Sequence, residues 1–235
     1  MTSRTYLYFH ANNEFDAHAI ETLIAQQHLV VLINPADNLS VQFTQLPQFK
    51  FNDTVQVELS NALSDFIDQR AEQSPLHVIH AVNNIDERAV TTDTAAGFAI
   101  TRHLNQGFQA MKALADGFRV YGGNLVFLMQ SDTLNYQHSA TSSVCNHAQN
   151  AFMMTLAREY QGTGFTANSF VLPMMAADTK QAKKRKRELK GGVLGARPLV
   201  SSYQEITRYI TDFVTTNSLL NGQCIAFTPC LEMKL

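Results

Sequence analysis

Two runs of apolar residues constrain this chain most strongly: Leu29-Val-Val-Leu-Ile33, and Asn124-Leu-Val-Phe-Leu-Met129, in which five apolar residues follow one asparagine. A strand whose residues do not alternate between apolar and polar offers no face to water, so it belongs in a sheet covered on both sides. Before the first run, Phe15, Ala19, Ile20, Leu23 and Ile24 recur at helical spacing, and residues 6–9 form a β-rich segment ahead of them. The three pieces make a β-α-β unit.

The alternation continues along the chain. After a loop over 34–50, the pattern predicts a strand at 54–58, a helix at 61–73 with Ser60 as its N-cap, and a strand at 75–80. A helix over 91–115, the strand 124–129, a helix over 141–160 and a strand at 165–172 follow. The last third reads as an irregular basic segment (179–198), a helix (203–216) and a closing strand (223–227). Strands alternating with helices from end to end predict an α/β fold: a doubly wound, Rossmann-like parallel sheet of about seven strands with helices on both faces. At 235 residues this is expected to be one domain spanning 1–235. Ligands of such sheets lie beyond the strand C-termini, which singles out the loops after His10, Ile33, Glu58, His80 and Met129.

Apolar residues make up 45% of the chain and charged residues 16%, a composition that excludes extended disorder. The net charge of -2 gives no general attraction to nucleic acid, and none is expected as a partner. Cys145, Cys224 and Cys230 form neither an even framework nor a CxxC pair, so neither disulfides nor a metal are expected. The apolar stretch near the start is broken by His10 and Asn12, too short for a signal segment or a membrane span, and the expected location is cytoplasmic.

Leu220-Asn-Gly-Gln-Cys-Ile-Ala-Phe227 resembles the C-terminal strand of the short-chain dehydrogenases/reductases, which a Gly-Gln pair opens. Gly164-Phe-Thr-Ala-Asn-Ser-Phe-Val-Leu-Pro173 resembles the family's Arg-Val-Asn-x-Val-x-Pro-Gly strand, and residues 124–131 resemble the strand that ends in its catalytic serine. The landmarks keep the family's order and spacing over the whole chain. The resemblance implies a nicotinamide dinucleotide as cofactor and a Tyr-x-x-x-Lys pair for proton transfer.

The chain departs from that family at both places where its chemistry is made. The glycine-rich first turn is replaced by His10-Ala-Asn-Asn-Glu-Phe-Asp-Ala17, where Glu14 and Asp16 bring negative charge toward the phosphate seat and Asn12 or Asn13 can cap a helix. By position, His10, Asn34, Glu58 and Ala81 stand where cofactor-binding residues would be. Asn34 replaces the ribose-binding acid, and Glu58 matches an adenine-side acid or is simply a solvated strand-end carboxylate. None of the seven tyrosines has a lysine four residues later. Aligning the 141–160 helix by its Leu156-Ala-Arg-Glu159 end puts Ser142 at the tyrosine position and Asn146 at the lysine position, with Ser131 near the catalytic serine and His103 near the helix asparagine.

Cys145 and His147 suggest a thiol nucleophile by composition, but two residues apart on a helix they face different ways. Lys183-Lys-Arg-Lys-Arg187 falls in the family's variable substrate-covering segment, as a solvated loop or as an anion-binding one. Val144, Ala148, Ala151, Phe152, Met154, Leu156 and Tyr160 give the 142–160 helix more apolar surface than one buried stripe needs, which predicts homo-oligomer formation or pairing with a related reductase. The expected function is that of a non-catalytic or ligand-binding subunit without high-affinity cofactor. The alternative is an active NAD(P)-dependent oxidoreductase, acting on a carbonyl or alcohol through an altered site.

Overall fold

Strand β1 (Thr5–Phe9) turns Tyr6 and Tyr8 to one side of a sheet and Leu7 and Phe9 to the other, and all four are buried. That double burial is what an apolar run in a central parallel strand achieves. The structure, a computed structural model, describes residues 4–50, 57–71, 75–85, 94–130, 142–188 and 200–227. After β1 come α1 (Glu14–Ala25), β2 (Leu29–Ile33), α2 (Asp37–Gln42), β3 (Gln48–Phe49), α3 (Val57–Ala71) and β4 (Leu76–His80). The second half holds α4 (Thr94–Tyr121), β5 (Gly123–Gln130), α5 (Ser143–Glu159), β6 (Phe165–Leu172), β7 (Met175–Ala176), α6 (Thr179–Glu188), β8 (Ser201–Ser202), α7 (Tyr203–Thr216) and β9 (Cys224–Ala226).

Seven strands form one parallel sheet in the order β3-β2-β1-β4-β5-β6-β9, and β7 and β8 make a small separate ribbon that carries α6. On one face Ile20 and Leu23 of α1 and Ile206, Ile210 and Val214 of α7 bury Tyr8, Val30, Leu32 and Val126. On the other, α3, α4 and α5 supply Leu63, Ile67, Leu114, Phe118, Met153 and Leu156 against Leu7, Phe9, Val78, Leu125 and Phe127. Polar links tie α7 to the sheet: His77 Nδ1 (3.0 Å) and Asn124 Nδ2 (2.7 Å) both donate to the Val214 carbonyl. Because the chain winds outward from β1 in both directions, the switch point lies between β1 and β4, and a crevice opens there.

The predicted alternation, the seven strands and helices on both faces are all present. Three local expectations are corrected. The third strand of the sheet is Gln48–Phe49, paired with Leu32 and Ile33, rather than 54–58, whose residues 54–56 lie outside the described residues. Two residues have no periodicity to read, so the pairing comes from β2. Glu58 therefore stands in the first turn of α3 and not at a strand end, and Ser60 is inside that helix rather than its cap. The basic segment is a helix over Thr179–Glu188, because Lys, Arg, Gln and Ala all favour helix once the run is long enough; residues 189–199 lie outside the described residues.

Candidate functional site

The turn after β1 is built by its own side chains. His10 adopts φ 54°, its N–H bound to the Ile33 carbonyl at 2.8 Å, and Asn13 caps α1. Asn13 Oδ1 accepts from Phe15 N (2.9 Å) and Asp16 N (3.1 Å), while the Asp16 carboxylate accepts from Asn12 N (2.8 Å) and Asn13 N (3.2 Å), completing a capping box. Tyr8 Oη also donates to Asp16, at 2.9 Å. Four backbone donors at the mouth of the crevice are thus held by two side chains. Burial raises the Asp16 carboxyl to about 6, with the hydrogen bonds from Asn12, Tyr8 and Asn13 pulling the other way.

Asn12 closes the gap between the two strands at the switch point. Its Nδ2 donates to the His10 carbonyl (2.8 Å) and to the Val82 carbonyl (2.7 Å), stitching the loop after β1 to the loop after β4. The dinucleotide that this fold implies needs free N–H groups and close backbone approach for its pyrophosphate. Here the Asn12, Asn13, Phe15 and Asp16 N–H groups are already held by side chains and no glycine lets a phosphate approach, so the residues of this turn do not fit that group.

Behind the turn, His10, His80 of β4 and His103 of α4 form a cluster with ring centroids 4.5 to 5.7 Å apart. His80 Nδ1 donates to the Ala81 carbonyl at 3.0 Å, and the Gln149 carboxamide of α5 lies 3.4 Å from that nitrogen and 3.1 Å from His103 Nε2. Burial lowers His80 to about 3 and His103 to about 4 and takes His10 well below the ordinary histidine range, with neighbouring imidazoles adding to the effect at His10 and His80. All three are neutral near pH 7. His103, expected near a catalytic asparagine, is therefore packed against other rings.

The two positions that align with the proton-transfer pair make structural contacts. Ser142 is buried and caps α5, accepting from Cys145 N at 3.1 Å. Asn146 is buried, accepts from Asn83 Nδ2 (3.0 Å) and donates to the Gln130 carbonyl (3.1 Å), and Asn83 Oδ1 accepts from Ser142 N (2.8 Å). One carboxamide pair thus joins the ends of β4, β5 and α5. The only signal in the sequence for this role is an asparagine standing just past the apolar run that ends at His80. Ser131 lies outside the described residues.

The other positional candidates are scattered. Asn34 follows β2 at φ 50° with its N–H on the Phe49 carbonyl, Ala81 is fully buried with its N–H on Phe9, and Glu58 is on α3. Neither Asn34 nor Ala81 lines the crevice, a cavity of about 460 Å³ walled by Asn13, Glu14, Asn84, Gln130, Arg185 and Tyr203 among others. Burial raises the Tyr203 hydroxyl, and the positive charge of Arg185 opposes that shift. Gln181 and Arg185, one turn apart on α6, face the crevice, a spacing that the charge of the basic run concealed. Cys145 is buried and His147 exposed, so they do face apart. Among the described residues no group of three His, Cys, Asp or Glu could hold a metal ion, and no helix is long and apolar enough to cross a membrane.

No family model matches the sequence, and no curated protein matches it. Solved structures do. A short-chain type dehydrogenase/reductase from Mycobacterium ulcerans is 18% identical, with a TM-score of 0.64 over 96% of this chain and 88% of that one. A short-chain dehydrogenase from Bacillus anthracis is 15% identical, with a TM-score of 0.67 over 95% and 94%. BdcA, solved in complex with NADPH, is 13% identical, with a TM-score of 0.63 over 97% and 93%. The fold of this chain is that of the short-chain dehydrogenases/reductases.

Proposed function

We propose that this chain is a short-chain dehydrogenase/reductase-fold protein that performs no hydride transfer and serves as a ligand-binding or structural subunit. The observation that carries this reading is the self-capped first turn. The Asn12, Asn13, Phe15 and Asp16 N–H groups are held internally, and Asn12 ties the two loops across the switch point. A dinucleotide would have to break these bonds and seat its phosphates beside Glu14 and Asp16. The proton-transfer positions support the same reading, because Ser142 caps a helix, Asn146 is bonded to Asn83, and both are buried.

The subunit pairs through α4 and α5, either with itself or with a related reductase. Phe98, Phe108 and Val120 on α4 and Val144 and Met154 on α5 are exposed apolar residues, and Phe108 meets Phe152 edge-on at 4.5 Å. Titration with NADH and NADPH, read by nicotinamide fluorescence, is expected to show no enhancement up to millimolar protein, and no carbonyl substrate is reduced. Micromolar binding together with turnover sinks the proposal.

A further inference from the structure

The crevice brings together two opposite charges that do not pair. Among the described residues lining it, Glu14 and Arg185 are the charged ones, and no ion pair joins them. Glu14 accepts from Gln181 Nε2 at 3.3 Å, and Arg185 lines the crevice together with Tyr203. Gln181 and Arg185 are separated by one turn of α6, so the side chain that holds Glu14 and the guanidinium lie on the same side of that helix, and both line the crevice. Arg185 is half-buried toward the cavity, while Lys183, Lys184 and Arg187 on the same helix are exposed.

We propose that the crevice binds a small zwitterion, a free amino acid or a molecule of like charge pattern, with Arg185 taking its carboxylate and Glu14 its ammonium. A simple anion would satisfy Arg185 but meet Glu14 and lie near Asp16; a simple cation would satisfy Glu14 but meet Arg185. A ligand carrying both charges a few ångströms apart satisfies both walls. The guanidinium presents paired N–H donors that match a carboxylate, with the Tyr203 hydroxyl beside it. Phe15, Val82, Leu172, Pro173 and Met175 give the remaining wall an apolar surface for the ligand's side chain. A volume of about 460 Å³ is ample for such a molecule. The proposal rests on the reading that the crevice is not a dinucleotide seat.

The test uses the full chain and a panel of free L-amino acids covering acidic, basic, amide, aliphatic and aromatic side chains, each beside its N-acetyl acid and its amide, with calorimetry and thermal shift as readouts. At least one free amino acid is expected to bind, with both blocked derivatives weaker by about tenfold or more. Glu14→Gln and Arg185→Gln are each expected to weaken binding by about the same factor while leaving the melting temperature of the ligand-free protein unchanged. No binding by any panel member at millimolar concentration overturns the proposal. So does an N-acetyl acid or amide binding as tightly as its parent, or binding by either variant as tight as that of the unsubstituted protein. NADH titration of the same preparation separates the two readings, since nucleotide binding without amino-acid binding tells against both, and amino-acid binding stands whatever the nucleotide does.

Discussion

Asp16 is a buried carboxylate that answers three donors at once, and the residue scale of this protein is best seen there. Replacing it with alanine leaves Asn12 N, Asn13 N and the Tyr8 hydroxyl without their acceptor, in a place that water reaches poorly. Asp16→Ala is expected to lower folding stability by about 2–4 kcal/mol, read as a shift in the urea midpoint at constant slope; a loss smaller than about 1 kcal/mol is incompatible with the role given to it. Gly123 shows the other residue-scale constraint. It has φ 132°, and a Cβ there would lie 2.0 Å from the Leu76 carbonyl oxygen, where strand β4 runs alongside. Gly123→Ala has no conformation that avoids the backbone, and is expected to yield insoluble protein or a loss of several kcal/mol. Soluble protein of unchanged stability contradicts that reading.

At the scale of elements, α5 joins three functions in one helix. Its N-terminus is capped by Ser142, its buried stripe of Cys145, Gln149, Met153 and Leu156 faces the sheet and the histidine cluster, and its outer face leaves Val144 and Met154 exposed. Ser142→Ala removes the cap and is expected to cost about 1 kcal/mol, measured by equilibrium denaturation; the same substitution at a catalytic position would instead change a rate. The outer face is the one through which the proposed pairing runs. Val144→Glu combined with Phe98→Glu is expected to shift the protein to monomer in sedimentation analysis with the fold intact by circular dichroism. An assembly unaltered by both charges removes α4 and α5 as the contact. The bounds of this helix, of β2, β6 and α7 were readable from apolar spacing to within a residue or two, because each buries a continuous stripe or run. Strand β3 and helix α2 were not, since their short segments carry no period and take their conformation from the neighbouring β2.

For the molecule as a whole, the buried histidines set how stability varies with pH. Burial holds His77 near 4, His80 near 3, His103 near 4 and His10 well below the ordinary value, so the folded state keeps them neutral. The unfolded chain takes up protons on the same residues once pH falls below about 6.5. Between there and about pH 4 the unfolded state binds more protons, and stability falls as pH falls. Asp16 acts in the opposite sense between its folded value of about 6 and its unfolded value near 3.8, because there the folded state holds the extra proton. One carboxyl against four imidazoles leaves a net loss, expected to be on the order of a few kcal/mol between pH 7.5 and 5. Urea midpoints that coincide at the two pH values sink this account, and His80→Gln is expected to flatten the dependence.

The apolar runs and the helical spacings were enough, by themselves, to determine that this chain makes a doubly wound parallel sheet, because burial on both faces leaves no other economical arrangement for strands such as Leu29–Ile33. The missing glycines and the missing lysine were equally visible, since they are absences at fixed spacings. What replaced them was decided only by the tertiary structure. Asn12 reaches Val82 across 70 positions of sequence, Asn83 meets Asn146 and Ser142 across about 60, and Glu14 comes beside Gln181 across 167. Contacts of that separation have no period and no local propensity. They exist because the sheet brings the C-terminal ends of β1, β4 and β5 side by side and the β7–β8 ribbon swings α6 over the crevice they share.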